Sequence, residues 1–522
     1  ADNNTGVGEN ALFSNTTGTR NNAVGALALD ANTTASYNNA FGYNSLGANT
    51  TGAENVAMGD NAGAANTTGG QNTAIGTSSL ASNTTADNNV AVGYAALNAN
   101  TTGTPNVAVG KDALKVNTTG GSNTAIGKSA LEANTTASNN TAVGKDALGA
   151  NTTGSTNVAI GALASDVSTT ASENTAVGYG SLTTCTTGGA NTAIGYVAMQ
   201  NLTTGTNNTA VGNQAMTAIT EGGYNVAMGR EALDANTTGG SNTAVGYNSL
   251  GAATTADNNT AFGKSALQSN TTGHSNVGVG QAAAQSVTTA DYNTAVARVA
   301  LESVTTGDAN TGVGYHAGQT ITTGAGNTIL GAYSDVDASD AAHSIAIGYD
   351  VTGTASTTTI GSGTSDIRTS HGSTSWATVS DERVKKDIKD AEAGLSFIND
   401  LRPVTFNYKA KGDIPEEFKG YEKDSTEPYK FATTNHGFIA QEVKEAIDNH
   451  PEIKNGFSMW DVRETGQQEV GETAVIPVLV KAVQELSNKI DELQQDSHPP
   501  KCIEEMEGYE TLINRIKELE NK

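Results

Sequence analysis

Apolar and polar positions along the first 350 residues recur with a period of 17. Each unit reads roughly N-T-A-V-G-x-x-A-L-x-x-N-T-T-G-x-x. Its glycine falls at Gly8, Gly25, Gly42, Gly59, Gly76 and so on to Gly348, 21 positions in which only Ala297 departs. We number each unit from that glycine as position 0. Position −1 is always a large apolar residue, as in Val7, Val24, Phe41, Met58, Ile75 and Val92. Position −2 is nearly always Ala or Gly, and position −4 is Asn from Asn4 to Asn327. Position +4 is usually Leu, as in Leu12, Leu29, Leu46 and Leu80, and a Thr-Thr pair follows, interrupted by Glu221. The alternating N-T-A-V segment predicts a short strand, its apolar residue pointing inward with the neighbour two residues away. The glycine ends the strand where a positive φ or close backbone approach is needed. The x-x-A-L segment predicts a second short face, and N-T-T-G is turn chemistry. One coil is thus expected to hold two short strands and two turns.

An unbroken period of this length means one unit stacked on itself, a solenoid or fibre rather than a globular enzyme. At about 4.8 Å per coil, twenty coils make a rod on the order of 95 Å long. Stacked Asn and Thr side chains are expected to form hydrogen-bonded ladders. The inner apolar residues are few and small, so a single thin solenoid would gain from association. Pro105 is the one proline in the array, as paired backbone requires.

Composition narrows the function classes. Glycine numbers 60, aromatics are 5% and charged residues 16%, a balance that resembles disorder until the strict register is considered. The net charge of −25 argues against a nucleic-acid partner. Cys185 and Cys502 give neither a disulfide framework nor metal spacing, and no metal or cofactor is expected. No run of 18 apolar residues occurs, so no membrane insertion is expected. The start, Ala1-Asp2-Asn3-Asn4, lacks a leader pattern and reads as a trimmed or mid-protein beginning, with an upstream anchor missing. The many Asn-Thr-Thr triplets match the glycosylation sequon because the turn recurs.

The N-x-A-hydrophobic-G unit resembles the head repeats of trimeric autotransporter adhesins and of many phage tail fibres. That resemblance covers residues 1 to about 350 and implies a trimeric, left-handed parallel β-roll. The period of 17 is a variant, since shorter coils are more familiar in the adhesins. The charged helical end also departs from an autotransporter, which would finish in a membrane barrel.

Composition changes further on. Residues 351–379 form a Ser/Thr/Gly-rich transition with Trp376 near its end, and Lys, Arg and Pro then become frequent. Leu401–Tyr408 predicts a strand, and His436–Val443 runs from a strand into a helix. Ile476, Leu479, Val483, Leu486, Ile490 and Leu493 alternate three and four apart, the seam of a coiled coil. Pro499-Pro500 separates them from a second short seam at Tyr509, Leu512, Ile516 and Leu519. The expected architecture is therefore mainly β: a trimeric solenoid shaft (1–350), the transition (351–379), a small α+β domain (380–475) and coiled-coil helices (476–522).

Four motifs in order, S-D-E-R-V-K-K-D-I, L-R-P-V-x-F-x-Y, H-G-F-I-A-Q-E-V and I-P-V-L-V-K-A-V-Q-E-L, carry a second resemblance. They resemble the intramolecular chaperone, auto-processing domain at the C-terminus of endosialidases, tail spikes and fibres. The resemblance implies trimerisation and a single self-cleavage at Val379–Ser380. It makes Ser380 the nucleophile, Lys385 the base and His436 a residue needed for processing. Asp381, Arg383, Gln441 and Glu442 are the supporting motif residues. Read without it, Ser380 is an ordinary helix N-cap followed by surface lysines, and His436 a structural histidine. Ser and Lys five apart do not face each other on an ideal helix, so a turn or a neighbouring chain must join them. A lysine serves as base when desolvation lowers its pKa. The acidic insertion around Ile414–Tyr429 is assigned no role.

The leading expectation is a homotrimeric viral tail fibre or similar appendage, matured by one cleavage. It would attach to a host-surface receptor, a glycan or a protein. It would be assembled in the host cytoplasm and located in the virion or on an extracellular surface. The alternatives are a cellular adhesin or wall fibre using the same chaperone, and a glycan-cutting spike. The last lacks a placed carboxylate pair and an aromatic sugar platform.

Overall fold

The structure is a computed structural model that describes residues 2–496 and 508–521. The prolines at 499–500 and Cys502 lie outside the described residues. The chain divides into two compact units, Ala1–Val379 and Ser380–Lys522.

The first unit is a parallel β-solenoid. Each coil contributes one three-residue strand, paired in parallel with its counterpart in the next coil. Thr141, Ala142 and Val143 pair with Val158, Ala159 and Ile160, and the same step of 17 residues runs from Thr5–Val7 to Ile345–Tyr349. The ladder continues beyond residue 350. There the coil shortens, Ile345 pairing with Thr358, and the strand Thr357–Ser362 then turns back on Ser365–Ser370 as an antiparallel hairpin. That hairpin covers the edge that the last parallel strand would otherwise leave open.

The coil differs from expectation in two respects. First, x-x-A-L forms no second strand. It is a chain of tight turns with left-handed backbone at positions +2 and +4, as in Asp146 (φ 56°) and Leu148 (φ 51°). Such values are uncommon for non-glycine residues. They are tolerated here because every turn bonds to the neighbouring coils, as in Leu148 N–H to Ala164 O at 3.0 Å. Second, the strand is turned the other way. Position −2 faces the core, with Ala142 and Ala159 fully buried, while position −1 faces outward, with Ile126 41% and Ile160 42% exposed.

Space explains the phase. The leucine of position +4 fills the interior, and a Cβ built on Gly278 at position −2 would lie 3.1 Å from Leu267 Cγ. There is room for a methyl group and little else. The one large residue at −2 is Ile329, which is buried where Gly318 stands in place of the leucine. The repeated glycine meets both of its expected demands. Gly144 has φ +140°, and a Cβ there would sit 2.4 Å from Gly161 O. Ala297 holds φ 110° in the same place.

Two asparagine rows run inside the shaft. At position −4, Asn140 Oδ1 accepts from Asn157 N–H at 2.9 Å, and Asn140 Nδ2 donates to Gly154 O at 2.9 Å. At position +7, Asn134 Nδ2 donates to Asn117 Oδ1 at 2.8 Å. The asparagines of the Asn-Thr-Thr triplets are these buried residues. Threonines add a third row, with Thr152 Oγ1 donating to Thr169 O at 3.0 Å.

The +7 row breaks after Asn151. Ser168, Cys185, Leu202 and Ile219 take the place of asparagine, all fully buried. The Cys185 thiol, pushed up to about 11 by burial, points at Gly188 O at 3.1 Å. Where the row breaks, polar atoms lose their partners: Asn151 Oδ1, Ser168 Oγ and both side-chain polar atoms of Asn236 are buried without a hydrogen bond. Asn236 stands between Ile219 and Ala253 in its row. Asn236→Leu removes two unpaired buried groups, so it should stabilise the shaft by about 1–3 kcal/mol. Chemical denaturation followed by circular dichroism checks this, and a lowered midpoint would contradict it.

The second unit is a small α+β domain. Helices α1 (Leu395–Asp400), α2 (Ala440–Asn449) and α3 (Ile476–Asp496) accompany two short antiparallel strand pairs. Val404–Phe406 pairs with Asn435–Gly437, and Trp460–Val462 pairs with Gln468–Val470. Its core gathers Phe397, Val443, Ala446, Ile447, Met459 and Val478. Glu485 on α3 accepts the Leu395 N–H at 2.8 Å and so ties α3 to the start of α1. A further helix, α4, covers Tyr509–Glu520.

Candidate active site

Asp381, rather than Ser380, caps the first turn of the second unit. Its carboxylate accepts the Arg383 N–H at 2.8 Å and opens a single 3-10 turn, Glu382–Val384. The Arg383 guanidinium grips the same carboxylate, with Nη2 to Oδ2 at 2.6 Å, and holds Asp381 below the usual carboxylate range. The backbone returns to an extended conformation at Lys385. This short reversal does what an ideal helix could not: Lys385 Nζ donates to Ser380 Oγ at 2.7 Å. Among the described residues, every hydrogen bond of segment 380–386 is local, and all but Asp381 are exposed. Val379 is also exposed, and its carbonyl oxygen accepts a long hydrogen bond, 3.4 Å, from Thr378 Oγ1.

The other expected residues lie elsewhere in the second unit. His436 is exposed at the middle of Asn435–Gly437, opposite Thr405. It lines a shallow pocket with Pro403, Phe438 and Glu472. Among the described residues it makes no hydrogen bond to Ser380 or Lys385. Glu442, in the first turn of α2, forms a two-pronged ion pair with Arg402, with Arg402 Nε to Oε2 at 2.9 Å. That pairing keeps its carboxyl below the usual range. It joins the L-R-P and Q-E-V motifs, which are 40 residues apart. Gln441 lines an open groove of about 660 Å³ with Phe406, Tyr408 and Tyr429. Thus Ser380, Lys385, Asp381 and Arg383 come together, whereas His436, Gln441 and Glu442 are engaged elsewhere in the domain.

Residues 380–450 match the peptidase family described as the chaperone of endosialidase. Neither the curated proteins nor the solved structures give a match to the chain. The match thus begins at Ser380, where the two compact units divide, and we refer to the second unit by it as the chaperone domain.

His450 was not singled out by any motif. It follows α2, is buried, and packs edge-on against Phe397 with ring centroids 5.3 Å apart. Its ring nitrogens bond Asp400 Oδ2 and Glu452 Oε1, each at 2.8 Å. Burial opposes its charge, but the two carboxylates outweigh burial and raise its pKa above the ordinary 6.5. A raised folded-state pKa gives stability that is full below the ordinary value and lost as pH rises through the folded one. The denaturation midpoint of the second unit should therefore fall as pH rises from below the ordinary histidine value through the raised folded-state one. His450→Gln should flatten that dependence, and an unchanged pH profile in this variant would contradict the assignment.

Proposed function

We propose that residues 1–379 form the shaft of a homotrimeric fibre, a viral tail fibre or similar host-attachment appendage. The chaperone domain assembles three chains and then releases itself by one cleavage at Val379–Ser380. The observation that carries this reading is the Lys385 Nζ to Ser380 Oγ hydrogen bond of 2.7 Å, formed at the first residue of the family match. A shaft built wholly of stacked coils supports the structural role of the first unit. The seam of α3 supports association. Ile476, Leu479, Val483, Leu486, Ile490 and Leu493 are all exposed, whereas Val478 and Ala482 on the other face are buried in the domain.

The chemistry follows from the atoms present. Ser380 Oγ attacks the carbonyl carbon of Val379, and its proton passes to the Lys385 amine. The Val379 C–N bond breaks as the C–O ester forms, and the Ser380 nitrogen takes up a proton as the amine. Water then hydrolyses the ester, leaving a Val379 carboxylate and restoring the serine hydroxyl. A lysine accepts a proton only as the neutral amine, which burial favours. In one chain both side chains are exposed, so association that covers them would switch the dyad on.

Intact mass and denaturing gels test this. Wild type should yield residues 1–379 and a fragment beginning at Ser380. Ser380→Ala should remain full length while still sedimenting as a trimer. Lys385→Gln should slow cleavage on the order of a hundredfold or more, the scale for loss of a general base. A wild-type trimer that stays full length would contradict the processing reading.

A further inference from the structure

Four aromatic rings meet on the outside of the last coils: Tyr315 and Tyr349 at position +1, and His316 and Tyr333 at position +2. Across the array, His316 and Tyr333 are the only ring-bearing residues at +2, and they fall in consecutive coils. Their rings stack, with centroids 5.7 Å apart and planes 7° from parallel. Tyr333 also meets Tyr315 and Tyr349 edge to face, at 5.3 and 5.9 Å. Arg298 lies over the Tyr315 ring at 5.5 Å, and its Nη1 donates to the Tyr315 hydroxyl at 3.4 Å. The sequence shows no aromatic platform because these rings come from three separate coils. The 17-residue step assembles them.

Coil packing does not call for rings here. Other coils place Thr77, Lys128 and Asn213 at +1, and Asn44, Ser78 and Asn248 at +2. The backbone at +2 is left-handed, with φ 57° at His316 and 59° at Tyr333. Asparagine adopts that conformation more easily than a bulky residue does. Nor do the rings fill the interior: Tyr333 is 47% and Tyr349 58% exposed.

Area and charge select the ligand. A buried aromatic side chain covers about 150–250 Å², so four partly exposed rings offer on the order of 400 Å². A stable protein interface needs about 800 Å² per partner. The patch therefore suits a ligand a few rings long. Residues 298–350 hold six carboxylates, on Glu302, Asp308, Asp335, Asp337, Asp340 and Asp350, and Arg298 as the single Lys or Arg. That balance disfavours nucleic acid and acidic polysaccharide. The rim is polar and mostly uncharged, with the tyrosine hydroxyls and Gln319, whose Oε1 lies 2.8 Å from His316 Nδ1. A neutral sugar chain matches both features. Its C–H faces lie on aromatic rings, and its hydroxyls bond to polar groups at the edge.

We infer that the cluster of Tyr315, His316, Tyr333 and Tyr349 is a binding site for a neutral carbohydrate. This rests on the host-attachment reading and names the class of receptor. The cluster occupies the coils just before the hairpin of Thr357–Ser362 and Ser365–Ser370. In that reading, cleavage at Val379–Ser380 leaves it in the terminal coils of the shaft.

The test runs the full chain in native gels cast with dextran, galactomannan, xyloglucan or xylan, and with hyaluronan as the acidic comparison. At least one neutral gel should retard the wild type. Tyr333→Asn suits the left-handed backbone, as Asn44 and Asn248 do in other coils. It and Tyr349→Thr should each weaken that retardation about tenfold or more. Tyr94→Thr, which removes an exposed ring in a distant coil, should leave it unchanged. No retardation in any neutral gel, retardation in hyaluronan alone, or retardation that survives both cluster variants would overturn the site. Sedimentation and intact mass of the same samples separate the two claims. An assembled, processed shaft that binds no neutral glycan overturns the site alone. A monomeric, uncut chain that binds one through these tyrosines overturns the fibre reading alone.

Discussion

One buried asparagine per coil holds the shaft in register. Its backbone N–H donates to the preceding coil's asparagine, as Asn140 does to Asn123 Oδ1 at 3.0 Å. Its own Oδ1 accepts from the following one, and its Nδ2 satisfies a turn carbonyl 14 residues on. Only an amide side chain of that length supplies both an acceptor and a donor. Aspartate would bury a charge and lose the donor, and leucine would take a partner from two backbone groups, the next coil's N–H and the turn carbonyl. The −4 row accordingly continues to Asn327, whereas the +7 row tolerates Cys185, Leu202 and Ile219. What distinguishes the two is the backbone N–H at the strand start, which depends on the −4 side chain alone.

This constraint makes the shaft regular and also makes it hard to assemble. Every coil presents nearly the same ladder, so coils and chains can pair in many registers. The long-range parallel pairing is intrinsically slow. A domain that joins chains at one end fixes a common register before the ladder closes. We propose that role for the second unit, whose core buries one face of α3 and leaves an apolar seam outside on the other. Its first turn places Lys385 against Ser380 where the second unit begins. In the proposed reading, assembly and release are thus encoded next to each other in the chain. The parallel ladder of the first unit ends in the hairpin of Thr357–Ser362 and Ser365–Ser370.

Much of this was legible in the sequence, and the gaps have physical causes. The period, the strand, the glycine and the Asn and Thr ladders follow from repetition, because stacked identical residues must meet. The phase of the strand did not follow. Alternation shows that −1 and −2 face opposite ways, but not which faces in; the leucine at +4 decides by leaving room for a methyl group. The left-handed turns at Asp146 and Leu148 were hidden because their residue types do not announce positive φ. In the second unit the motif order was plain, and the Ser380–Lys385 contact awaited knowledge of the turn between them. His450 carries no motif at all, since its role comes from carboxylates at Asp400 and Glu452 that converge only on folding.

The register claim is tested most directly by the thermal unfolding of two deletions. One removes a whole coil, residues 141–157; the other removes Asn157 alone. If the −4 ladder sets the structure, the 17-residue deletion restores every bond in the next coil and unfolds cooperatively at the wild-type temperature. The single-residue deletion should lower that temperature or split the transition. Equal damage from both, or greater damage from the larger deletion, would contradict the account.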